Sequence, residues 1–98
     1  MADGADVNAK DEVHGDTALH HAAFRGHKEI AEPLISKGVN VKATNELAQT
    51  PLHYASGREI VELLIAKGAD VNAKNNSGGT PLLGASMNGE NEIAELLI

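Results

Sequence analysis

Five histidines and no cysteine set the limits of the chemistry this 98-residue chain can attempt. His20, His21 and His27 fall within eight residues of one another, which raises a metal site. The spacing argues against it. Gly26 breaks the helix between them, consecutive side chains at 20 and 21 project in different directions, and no thiolate completes a tetrahedral set. No metal is expected; His20 reads as a helix-capping group and His27 as a turn residue. Ser56 and Ser86 lie in no Gly-x-Ser-x-Gly turn that would activate a hydroxyl. Gly78-Gly79-Thr80 lacks the following Lys of a phosphate loop and reads as a hairpin leading into an N-cap. The pairs Glu59 with Glu62 and Glu92 with Glu95 read as a solvated helix face. No catalytic residue and no cofactor are expected.

The chain is long enough for one domain and no more. Apolar residues make up 42%, and Phe24 and Tyr54 are the only aromatic ones apart from histidine, so the core must be aliphatic and rich in Ala. Such a core favours close helix packing. Fourteen acidic against eight basic residues give a formal charge of -6, which repels phosphate backbones. Nucleic acid is therefore not expected as a partner, and a basic or neutral protein is favoured. Met1 to Lys10 shows no basic segment followed by an apolar one, and no run approaches the ~18 apolar residues of a membrane span. The expectation is cytoplasmic residence, with the nucleus as alternative, and no membrane contact. Asn75-Asn76-Ser77 matches a glycosylation acceptor but reads as a polar loop.

The elements that position these groups are repeated. Gly-Ala-Asp-Val-Asn-Ala-Lys occurs at 4 to 10 and again at 68 to 74, an offset of 64, with the diverged copy Gly38-Val39-Asn40-Val41-Lys42-Ala43 between them. The half-offset of 32 is the period, so the chain divides into three units, at about 4–37, 38–67 and 68–98. Each unit carries a landmark, Thr17-Ala18-Leu19-His20, Thr50-Pro51-Leu52-His53 or Thr80-Pro81-Leu82-Leu83. Each landmark is followed by Glu29-Ile30, Glu59-Ile60 or Glu92-Ile93. Two helices per unit follow.

Local chemistry supports this division. Thr at an N-cap accepts an amide hydrogen bond from the first turn, and Pro51 or Pro81 at the next position loses no needed donor. His20 and His53, three residues after the Thr, can return a side-chain hydrogen bond as in a capping box. Ile60, Leu63 and Leu64, like Ile93, Leu96 and Leu97, lie at i, i+3 and i+4 and form one apolar stripe that neighbouring units must cover. Lys37 and Lys67 favour the negative helix end, and Gly38 and Gly68 can terminate it.

Several fragments together carry a family resemblance: Thr-Pro-Leu-His, Ala22-Ala23, Gly26-His27, Glu-Ile-Val-Glu-Leu-Leu at 59 to 64, and Gly-Ala-Asp-Val-Asn-Ala. In this order and period they resemble an ankyrin-repeat array from about Gly4 to Ile98. The resemblance implies an all-α solenoid of stacked helix-turn-helix units with β-hairpin-like loops, acting as a non-catalytic protein-binding module. It also implies where a partner binds. The tip positions are Glu12, Val13, His14 and Asp16, then Glu46, Leu47 and Gln49, then Asn76, Ser77 and Gly79; the matching helix positions are Phe24, Arg25, Met87 and Asn88. In the second unit those helix positions are missing, leaving Tyr54. Phe24 and Tyr54 are the expected hot spots. Asn8 and Asn72 sit where ankyrin proteins can be hydroxylated, although hydrogen bonding within the hairpin is the stronger reading. The alternatives are a targeting segment of a larger enzyme or effector, and a self-associating assembly element.

Departures from the repeat define further expectations. Thr50 to Glu59 is nine residues where Thr17 to Glu29 and Thr80 to Glu92 are twelve, so nearly one helical turn is missing. The deletion predicts a truncated first helix, or a remade turn around Ser56-Gly57, in unit two. Pro33 inside a second helix predicts a kink or a late start. Ala48 stands where Gly15 and Gly78 stand in the other units. Both ends lack a polar capping unit, which suggests a segment of a longer array or association through the ends.

Overall fold

The computed structural model describes residues 6–98; Gly4 and Ala5, which open the first heptapeptide, lie outside the described residues. Six helices occur among them: α1 (Ala18–Arg25), α2 (Lys28–Ser36), α3 (Pro51–Tyr54), α4 (Arg58–Ala66), α5 (Pro81–Met87) and α6 (Asn91–Leu97). The three landmark threonines, Thr17, Thr50 and Thr80, take extended backbone immediately before α1, α3 and α5. Thr17 Oγ1 accepts from the His20 amide and Thr80 Oγ1 from the Leu83 amide, so orphan donors of the first turn are satisfied locally. Pro51 and Pro81 occupy the first turns of α3 and α5. Lys37 and Lys67 close α2 and α4, each followed by a glycine of positive φ, as the sequence implied.

The helices form two layers. First helices stack as α1 on α3 on α5, and second helices as α2 on α4 on α6, while each unit packs its own pair together. The result measures 40 × 25 × 20 Å. Leu19, Val61 and Leu64 are wholly buried in one core with Leu52, Ile60 and Ile93. Full burial of such a side chain stabilises by about 1.5–3 kcal/mol, and no unit could bury its stripe alone. Ala22, Ala23, Ala31 and Ala85 fill the remaining contact positions, where the missing bulk lets backbones approach.

The shortened unit behaves as its length requires. Helix α3 has four residues where α1 has eight and α5 seven. The chain then leaves through Ala55 and turns at Gly57 into α4, which keeps its full nine residues and its place between α2 and α6. Ser56 replaces the lost turn in a specific way: its amide donates to Ala23 O at 3.0 Å and its hydroxyl to Phe24 O at 2.7 Å. Two carbonyls at the end of α1 thereby gain donors from the neighbouring unit.

Pro33 does not delay its helix. Helix α2 begins at Lys28 and runs through Pro33 to Ser36, the same nine residues as α4, so there is no late start. Pro33 and Glu29 are both exposed. Water can therefore serve the Glu29 carbonyl that loses its intrahelical donor, which limits the cost of the interruption.

Among the described residues the loops contain turns and no strand. Each tip is closed by one backbone bond, from Asp11 to Asp16, Asn45 to Gln49 or Asn75 to Gly79.

Candidate partner-binding surface

The tips are built by one side chain each. Asp11 Oδ1 accepts the amides of His14, Gly15 and Asp16 at 2.9–3.2 Å. Asn45 Oδ1 accepts from Leu47 and Gln49, and Asn75 Oδ1 from Ser77 and Gly79. A short side chain that bonds the amides after it fixes the turn without a β-ladder. Neighbouring tips are then tied together, Glu46 N to His14 O at 3.0 Å and Asn76 N to Leu47 O at 2.9 Å. Three loops thus become one ledge. The bonds from the His14 amide and the His21 ring hold the Asp11 carboxyl well below the usual carboxylate range.

The organisers Asp11, Asn45 and Asn75 escaped the sequence reading because the first tip is one residue longer. Six positions separate Asp11 from Thr17, whereas five separate Asn45 from Thr50 and Asn75 from Thr80. Counting back from Thr misaligns Asp11. A second ladder lies at the base of the loops, where Asp6, Asn40 and Asp70 each accept the amide two residues on.

Histidines join successive units. His20 Nδ1 accepts the Thr17 amide at 3.0 Å, so the ring proton resides on Nε2 and is donated to Gln49 O at 2.8 Å. His53 repeats the arrangement between Thr50 and Gly79 O. The expected capping role is present, and each ring also reaches into the next unit. Burial pushes the His20 imidazole below its ordinary value.

The ledge and the first helices carry a set of exposed side chains. Glu12, Val13, His14, Glu46, Leu47, Asn76 and Ser77 are exposed at the tips, and Phe24, Arg25, Met87 and Asn88 on the helices. Asp16 is buried and Gln49 half-buried. Asp16 Oδ1 accepts from Asn45 Nδ2 at 2.9 Å, and the same amide group donates to the Tyr54 hydroxyl at 2.7 Å. Tyr54, half-buried, meets His20 and Phe24 edge to face, with ring centroids 5.5 and 6.2 Å away. Two positions on this face were not anticipated. His21 lies four residues after Thr17, as Tyr54 does after Thr50, and Leu83 takes the place of His20 and His53 but is exposed.

Asp11, Asp16 and His21 bring ligand atoms within 4.8 Å of one another, the grouping among the described residues that could hold a cation. It differs from the histidine trio suggested by sequence proximity. Its atoms are already employed: Asp11 Oδ1 by three amides, Asp11 Oδ2 by His21 Nε2 at 2.9 Å, and Asp16 Oδ1 by Asn45.

This architecture is that of a helical repeat solenoid with a ledge of loops, a class built for recognition across an extended surface. A family model for ankyrin repeats in three copies matches residues 1–75 and 44–98, and the chain belongs to the ankyrin-repeat family. Over 58 residues it is 41% identical to the E3 ubiquitin-protein ligase KEG of Arabidopsis thaliana, covering 59% of this chain and 4% of that protein. It is 42% identical over 52 residues to human oxysterol-binding protein-related protein 1, covering 53% and 5%, respectively. The I-Kappa-B like protein I1 of Microplitis demolitor bracovirus is 38% identical over 56 residues, covering 56% and 34%. The chain thus spans from 4% to 34% of the length of these relatives. Ankyrin repeats are in general non-catalytic modules of protein–protein interaction.

Proposed function

We propose that the chain binds a protein partner across the concave face, through the tips and the exposed side of α1, α3 and α5. One observation supports this most directly. Of the large apolar side chains exposed among the described residues, Val13, Leu47, Phe24, Leu83 and Met87 lie on tips or first helices; Ile30 and Ile98 are the exceptions. Random scatter would not gather them on one face of a two-layer stack. The polar contacts of this reading are Glu12, His14 and Arg25 at one end, Glu46 in the middle, and Asn76, Ser77 and Asn88 at the other. Asp16 and Gln49 hold the tips in place from beneath, and Tyr54 lies at the centre.

The partner is a basic or neutral protein, in keeping with the formal charge of -6. Peptide selection from a random library on the immobilised chain, followed by titration against Phe24→Ala and Met87→Ala, tests the reading. Peptides whose affinity is untouched by both changes would place binding elsewhere.

The small share of each relative that the match covers supports a second reading, in which the array positions another activity on the same polypeptide. Both readings use the same surface.

A further inference from the structure

A recess lies between α1 and the shortened α3. His14, Asp16, His21, Phe24, Arg25 and Tyr54 line it, and it encloses about 410 Å³. In a unit of normal length another turn would follow Tyr54; here the chain has already left toward Ser56. The recess has two aromatic walls, Phe24 and Tyr54, set at 70° to each other.

Asp16 lies in this recess with only 5% of its surface exposed. Its Oδ1 accepts from the neutral amide of Asn45, and the ion pairs among the described residues are His21 with Asp11 and Arg58 with Glu62. Neither of those pairs involves Asp16, so a basic group brought to it would meet a carboxylate that shares no salt bridge among the described residues. The Tyr54 hydroxyl is pushed up, first by burial and then by the neighbouring Asp16. Arg25 is the lining cation, but it is exposed on the rim, where solvent screens it.

We propose that this recess receives one basic side chain, arginine or lysine, from the protein segment that docks on the concave face. The aromatic walls favour a cation beside them while Asp16 supplies the opposite charge. The inference rests on the concave face being the binding surface and adds the chemistry of its central contact. The -6 charge of the chain favours the approach of such a segment.

The test uses the whole chain and peptides selected from a random phage-displayed library. The expected result is a basic residue enriched at one fixed position, with its replacement by citrulline or glutamine weakening binding about tenfold or more. Asp16→Asn keeps the acceptor for Asn45 and should cause a similar loss. If Asp16→Asn fails to fold, the arginine and citrulline peptides compared on the unaltered chain, with amide shifts followed at Phe24 and Tyr54, decide the matter. Peptides that need Phe24 but no basic residue would overturn the inference and leave the binding surface standing. Peptides indifferent to both Phe24 and Met87 would remove the surface itself. Shifts at Phe24 and Tyr54 produced by raising protein concentration alone would assign the recess to a second copy of the chain and also overturn it.

Discussion

His20 Nε2 lies 2.8 Å from the carbonyl oxygen of Gln49, while its Nδ1 takes the amide proton of Thr17. One neutral ring therefore closes the start of α1 and fastens it to the tip of the next unit. Protonation would place a second N–H against the Thr17 amide and break this arrangement. Since burial lowers the folded-state value, the unfolded chain binds the proton more tightly and stability rises with pH. Stabilisation from His20 is complete above its unfolded value of about 6.5 and declines as pH falls below that. Thermal midpoints measured between pH 7.5 and 5.5 should drop on the acid side, and NMR titration should find the His20 ring protonating below the unfolded value. A flat profile with an ordinary titration would contradict this account.

Ala48 adopts φ 60, the non-glycine residue with positive φ among those described, at the position where Gly15 has 74 and Gly78 has 79. A left-handed conformation costs a residue with a Cβ about 1–2 kcal/mol, partly offset by the entropy a glycine loses on folding. Ala48→Gly should stabilise the chain by about 0.5–1 kcal/mol and raise the melting midpoint by a few degrees. Calorimetry of the two proteins checks it, and a lower midpoint for the variant would refute it.

Pro33 is the sixth residue of α2, well inside the helix, and its side chain is exposed. Pro33→Leu restores the amide donor and should raise stability by up to about 3 kcal/mol, less whatever water already provides at the Glu29 carbonyl. Urea denaturation would show the gain as a higher midpoint at constant slope. An unchanged midpoint would mean that the helix has already relaxed around the ring.

Gly26 closes α1 with φ 69, and a Cβ there would stand 2.7 Å from the carbonyl oxygen of Ser56. Gly38 has a similar positive φ but open space around it. Alanine at either site carries roughly the 1–2 kcal/mol left-handed cost, and at 26 it must also displace backbone. Gly26→Ala should therefore be the more destabilising by denaturant titration. Equal losses would mean that the Ser56 turn yields freely.

Phe24 is 65% exposed and Met87 85%, so neither contributes much to the core. Alanine at each should leave the melting midpoint within about 1 kcal/mol of the original, while Phe24→Ala weakens selected peptides by roughly 2 kcal/mol or more, as hot spots do. Titration calorimetry paired with thermal melts separates the two effects. A large stability loss with unchanged affinity would make Phe24 a packing residue.

Much of the fold was legible because its signals are local. Thr17, Thr50 and Thr80 mark helix starts through hydrogen bonds within one turn, the leucine and isoleucine stripes declare a face needing cover, and the nine-residue interval after Thr50 requires a shortened α3. A residue count cannot say what fills the gap. That Ser56 turns back to bond Ala23 and Phe24 depends on where α1 ends in space, 32 residues earlier for the Phe24 contact. Pro33 was legible as an anomaly, but its accommodation depends on the helix face that packing leaves in water. Of the candidate site, the apolar members Val13, Phe24, Leu47 and Met87 were proposed from the family resemblance. The burial of Asp16 and its meeting with Asn45, Tyr54, Asp11 and His21 could not, since hydrogen bonds across 29 positions form only after the units stack. Local hydrogen bonding and periodicity are written into the order of residues. Which charges lose their water is decided by the assembled stack.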